Sequence, residues 1–266
     1  MFGKLLKYDF RSMLKQFAFV WPAALVLGLV NRFTLDFFVT STSSAMETIS
    51  GITMLVYIAI LMAMFIIAVI FVIQRFYKGL LGDEGYLMHT LPVRPRQLIG
   101  SKLLCAVTVT FVSVLVAVAS ILLLMPLTAS DYGEFFRSLG RLNREYGANF
   151  VFFWVELLVF FLAGMAESYL MLYAAMAIGH LANKNRVLWS AAAFIALNAA
   201  VTAITGNLID LYVRIDVDFP RQFLWYSGQW SSVHASIWSA IAVTAAFGAV
   251  FYVVTSYILG KKLNLE

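Results

Sequence analysis

Two acidic side chains lie deep inside apolar runs of this 266-residue chain, Glu156 and Glu167. Their spacing turns a helix about 20° past three full turns, so both carboxylates share one face. Along the axis they stand about 16 Å apart, too far to act as a catalytic pair on one bond. An ionised carboxylate near the middle of a bilayer costs roughly 3 kcal/mol, so each must face protein or a watery cavity. Two roles fit: a polar stripe along a substrate pathway or dimer interface, or structural hydrogen bonds to another helix, with acids tolerated in protonated form near span ends. Other chemistry is scarce. His89, His180 and His234 are widely separated, Cys105 is the only cysteine, and no HExxH or GxxxxGK[ST] pattern occurs. The expectation is no catalytic residue, no metal site, no disulfide and no nucleotide loop on this chain. An intramembrane hydrolase using Glu156 or Glu167 with His180 is an alternative that lacks the paired-acid motif.

The elements that position these glutamates follow from composition. Hydrophobic residues make up 62% and charged residues 12% of the sequence, with a mean hydropathy of +0.87. Soluble domains run at about 45–50% apolar and about 25% charged, so a soluble enzyme, a disordered chain and a secreted disulfide scaffold are excluded. The fold class is all-α and polytopic: crossing a ~30 Å hydrocarbon core takes roughly 20 apolar residues per helix. Six segments qualify, 17–38, 49–73, 103–127, 150–178, 187–209 and 233–259. The first is the weakest, because Asn31, Arg32 and Asp36 lie in its second half; it is expected to end near Val30 to Phe33 or to tilt. No linker, low-complexity tract or internal repeat divides the chain, which reads as a single transmembrane domain over 1–266. A secondary transporter, the second alternative, would show broken helices and inverted repeats, and the sequence has neither.

Charge sets the orientation. Segments 1–16, 74–102, 179–186 and 260–266 hold 13 of the 19 Lys and Arg residues. Acidic residues lean the other way, toward the loops between these segments. Lys and Arg stay on the cytoplasmic side of short loops, so both termini are expected there and the chain is a multi-pass protein of a cell membrane. The net charge of +5 is therefore a topology signal rather than a nucleic-acid footprint. The N-terminus has the basic-then-apolar order of a signal peptide without its small-residue cleavage pattern, as in an uncleaved anchor.

Between the spans the pattern is informative. In residues 2–16, Lys4, Lys7, Arg11 and Lys15 fall on one side of a helical wheel and Phe2, Leu6, Phe10 and Met13 on the other, continued by Phe17. This predicts an amphipathic helix at the lipid interface. Phe135, Phe136, Leu139 and Leu142 recur at helical spacing among charges, which predicts an interfacial helix within 128–149. Residues 210–219 alternate through Val213, Ile215, Val217 and Phe219, the pattern of a short strand, and Trp225, Tyr226 and Trp230 mark a headgroup level. The loop 74–102 is too apolar for a solvated turn. Leu80, Leu81, Tyr86, Leu87, Met88 and Leu91 need a partner or the membrane, and Asp83 and Glu84 between two glycines suit the start of a short helix.

The stretch Gly82-Asp83-Glu84-Gly85-Tyr86-Leu87, through Thr90-Leu91-Pro92-Val93 to Gln97-Leu98 and Ser101-Lys102-Leu103, resembles the loop between spans two and three of bacterial type-2 ABC exporter permeases. Gly179-His180-Leu181 with Asn183-Lys184 resembles the second cytoplasmic loop of the same family. Length, six spans and a basic N-terminal helix agree over essentially the whole chain. The resemblance implies a permease without its own nucleotide site, working as a homodimer in the bacterial plasma membrane. Two copies of a separate ATPase subunit would then bind ATP and Mg. Gly82, Asp83, Glu84, Gly85 and Tyr86 would form the coupling helix that meets this ATPase, with the N-terminal helix beside it. Within the family the general appearance is nearest to exporters of antimicrobial or phenol-soluble modulin peptides, which implies an amphipathic peptide cargo, with a lipid or drug as the alternatives that an apolar cavity holding a few acids would also suit.

Overall fold

The computed structural model describes residues 2–40, 44–81, 95–125, 129–182, 184–215 and 230–261. Seven α-helices account for almost all of them: α1 (Phe2–Thr40), α2 (Ser44–Phe76), α3 (Pro95–Leu124), α4 (Ala129–Tyr146), α5 (Ala148–His180), α6 (Arg186–Ile215) and α7 (Trp230–Lys261). A π-helical turn, Tyr77–Leu81, continues α2. All but α4 contain a stretch long and apolar enough to cross a membrane, from Phe17–Thr34 in α1 to Val233–Lys261 in α7. The chain is an all-α, six-span polytopic membrane protein, as its hydropathy requires. In lipid, helices satisfy their backbone groups internally, which is why such runs fold this way.

The chain forms two compact units, one of residues 1–75 with 100–141 and the other of residues 76–99 with 142–266. In the first unit, α1 runs without interruption from the basic segment into the first span. Asn31, expected near the end of that span, is fully buried nine residues before the helix ends at Thr40. Its amide donates to the carbonyls of Leu27 (3.0 Å) and of Thr53 on α2 (3.2 Å). The stretch apolar enough to cross a membrane ends at Thr34, close to the expected Val30 to Phe33, while the helix itself continues to Thr40. Further along, Ser120 of α3 donates to the carbonyl of Ala24 (2.8 Å) and shares a 3.0 Å hydrogen bond with Tyr57 of α2. Gly28 permits this approach: a Cβ there would lie 2.6 Å from Ser120 Oγ and 2.9 Å from its carbonyl oxygen. Gly28→Ala should therefore destabilise the protein by about 1–3 kcal/mol through overpacking, although alanine favours helix by ~1 kcal/mol. Thermal unfolding in detergent measures this, and an unchanged midpoint would contradict the close packing.

In the second unit, α5 is the central element and packs along both α6 and α7. The α5–α6 turn brings Gly179 against Ser190 so closely that a Cβ would overlap it, and Asn185 takes a left-handed φ of 55° to complete the turn. The π turn belongs to this unit, where Phe76 stacks on Tyr173 with centroids 4.0 Å apart. Leu80 and Leu81 are buried by the chain itself, so these two side chains need neither a partner nor the membrane. The strand reading of 210–219 fails through Ile215, where α6 is still helical; Val217 and Phe219 lie outside the described residues. Val213 and Ile215, the first two of the alternating residues, both lie within α6, which carries its helix through them. The segment expected to lie at the interface is helical, as α4, with Phe135 and Phe136 exposed.

Candidate functional site

The described residues hold three polar arrangements in otherwise apolar surroundings. The first is in the first unit and centres on Asp9, which α1 turns inward together with Met13 and Phe17 at steps of one turn. Arg75, in the last turn of α2, reaches Oδ1 of Asp9 with Nη2 at 2.8 Å and Nε at 3.2 Å, and its Nη1 donates to Ser12 at 2.9 Å. Ser101, in the second turn of α3, donates to Oδ2 at 2.7 Å, and Lys102 Nζ stands 3.9 Å from Oδ1. Asp9 and Lys102 are almost wholly buried, whereas Arg75 is about one-third exposed. One carboxylate therefore joins three helices, with both its oxygens bonded and two cations beside it. Such a cluster is held by geometry: each ion is costly to bury alone, and the charge-assisted bonds offset that cost only while all partners are present.

Arg75 and Ser101 bracket the loop between α2 and α3. The coupling residues inferred from resemblance, Gly82, Asp83, Glu84, Gly85 and Tyr86, lie between them and outside the described residues. On the outer side of α1, Lys7, Arg11 and Lys15 are exposed and form, with Leu6, Phe10 and Leu14, an open groove of about 780 Å³.

The second arrangement holds Glu156. The structure turns this buried carboxylate toward α7, where Trp238 Nε1 donates to Oε1 at 2.8 Å and His234 Nδ1 shares a 2.6 Å hydrogen bond with Oε2. Trp230, one turn before His234, stacks on its ring at 5.8 Å and meets Phe153 of α5 at 6.2 Å. Trp230, His234 and Trp238 recur every four residues, which places them on one face of α7. His234 Nε2 is buried with no hydrogen-bond partner among the described residues.

Glu167 is three turns further along α5. It lines a cavity of about 600 Å³ bounded by α5, α6 and α7. Its Oε1 is enclosed without a hydrogen-bond partner among the described residues. The two glutamates share a helix face, as their spacing requires, but have different surroundings: Glu156 is bonded to another helix and Glu167 borders open space. His180, at the end of α5, meets neither. It faces Arg186 at 3.5 Å and the edge of the Tyr77 ring, and it lies 13 residues from Glu167, about 20 Å along the helix.

Among the described residues no group of three or more His, Cys, Asp or Glu could hold a metal ion, and Cys105 is a buried thiol close to the Leu6 carbonyl. Sequence reasoning missed the partners of both buried acids. The signals were present: an acid on the apolar face of a basic helix at Asp9, and a Trp-His-Trp ladder at steps of four in α7.

Fold and sites together define a six-span α-helical membrane protein with a buried ion cluster in one unit and an interhelical cavity in the other, an architecture consistent with transport in general. No family model, no curated protein and no solved structure matches the chain.

Proposed function

We propose that this chain is the permease subunit of an ATP-driven exporter of the type-2 ABC class. The observation that carries the proposal is the Asp9 cluster. A loop driven by a cytoplasmic motor must pass its movement into membrane helices without dissipating it in side-chain slack. Asp9 ties the basic N-terminal helix to the last turn of α2 and the start of α3, the two stems of the 82–94 loop. Within the first unit, the cluster thus holds α1, α2 and α3 to one another. The excess of Lys and Arg at the same chain segments supports a cytoplasmic location for this end and for both termini. The exposed stripe of Lys7, Arg11 and Lys15 suits anionic headgroups or a partner's acidic surface.

With no phosphate-binding loop in the sequence, ATP and Mg belong on a separate ATPase. Six spans make half a pathway, so a homodimer with two ATPase copies is the expected particle, related by a two-fold axis. Glu156 and Glu167 lie on the helix that would border the pathway or the dimer interface, and an amphipathic peptide is the expected cargo. Affinity purification from the native bacterial plasma membrane tests the assignment. An ATPase with a Walker-type loop should copurify in equal amount, and its ATP hydrolysis should fall at least fivefold with Glu84→Ala. A chain that purifies alone, or a complex whose hydrolysis is indifferent to Glu84→Ala, would overturn it.

A further inference from the structure

The cavity beside Glu167 has a chemistry of its own. Glu167 is the one acidic side chain among the described residues that line it, and a carboxylate that borders such a space takes either a proton or a cation. The rest of the wall selects among cations. Phe160 of α5 and Phe247 of α7 line the same space, with Thr205, Ser236, Ser239 and Thr244 as hydroxyls scattered among aliphatic side chains. A small metal ion wants six or more oxygen ligands and sheds its water reluctantly, and a single carboxylate in a mostly apolar wall cannot replace that shell. An organic ammonium is different. Its charge is satisfied by one carboxylate together with aromatic faces, and its hydrocarbon body gains from the apolar wall. A volume of about 600 Å³ falls in the ordinary range for pockets that hold small organic molecules.

We infer that the α5–α6–α7 cavity is a binding site for a primary ammonium carried on an apolar body, with Glu167 as its counter-ion. Either the lysine of an amphipathic peptide or a free lipophilic amine supplies that group. That the ammonium is cargo rests on the exporter reading; the binding site itself does not.

The test reads Glu167 directly and needs no ATPase. Membrane-buried carboxyl groups react with dicyclohexylcarbodiimide, and mass spectrometry locates the adduct. The protein is held in phosphatidylcholine nanodiscs, which carry no net lipid charge. Dodecylammonium should slow labelling of Glu167 at least fivefold, whereas dodecanol, with the same chain and no charge, should slow it less than twofold. An amphipathic helical peptide with one lysine and blocked termini forms the second arm. Protection by the peptide identifies a peptide source and protection by dodecylammonium alone a small amine, and both support the site. Ala240→Leu, which fills the cavity from α7 and leaves Glu167 in place, should abolish the protection. Equal slowing by dodecanol, or protection by neither ammonium, overturns the inference. The exporter assignment would survive that failure, because copurification of an ATPase is an independent result.

Discussion

Asp9→Ala is expected to destabilise the protein by about 3–5 kcal/mol, the largest loss of any substitution in the first unit. The carboxylate is buried at 2% exposure and accepts from Arg75 and Ser101 while neutralising Lys102. Removing it leaves two cations close together at a helix junction without the carboxylate that offsets their desolvation. Truncating Arg75 instead should cost less, because its side chain is one-third exposed and Lys102 remains beside Asp9. The order Asp9→Ala, then Arg75→Ala, then Ser101→Ala is thus predicted for decreasing loss of thermal midpoint in detergent. A double variant, Asp9→Leu with Arg75→Met, should recover part of the Asp9→Ala loss, since apolar replacement of a buried ion pair is often near neutral. If Asp9→Ala unfolds within about 0.5 kcal/mol of the wild type, the range of an ordinary surface change, the cluster does not hold the three helices together.

The six spans were legible because one physical constraint writes them: a hydrocarbon layer of fixed thickness demands an unbroken apolar run, and 52–73 has no charge at all. What sits inside a span is harder to read. Asn31 does lie near the end of the first span, Phe17–Thr34, but hydropathy says nothing of its amide meeting the Thr53 carbonyl. The face shared by Glu156 and Glu167 followed from helix geometry alone, which needs only local spacing. Their partners did not follow, because His234 and Trp238 come from a helix some eighty positions later. Asp9 shows the same limit: Arg75 is 66 and Ser101 92 positions away. Helical periodicity states which side chains share a face, but which helix that face meets is decided by packing of the whole bundle. The alternation that begins in 210–215 failed there for a related reason, since a two-residue period over so short a stretch does not outweigh a helix already running into it.

Glu156→Ala is expected to cost about 2–4 kcal/mol, since it strips the Trp238 indole N–H and His234 Nδ1 of their shared acceptor in a buried site. Glu156→Gln keeps the shape and an amide oxygen for Trp238, so its cost should stay near 1 kcal/mol, in line with hydrogen bonds between membrane helices. Trp238→Phe removes one donor and leaves His234 bonded, so it should fall between them. Glu167→Gln should barely move the unfolding midpoint, because the carboxylate oxygen it changes has no hydrogen-bond partner to lose. Comparing these variants separates the two roles open to the pair. A structural acid shows its effect in unfolding and keeps transport in the folded fraction, whereas a pathway acid is silent in unfolding and loses transport. Glu156, held by α7 through both oxygens, should behave as the first kind and Glu167 as the second. If Glu156→Ala leaves stability unchanged and abolishes transport, its bonds to α7 are incidental and the polar stripe extends along the whole face of α5.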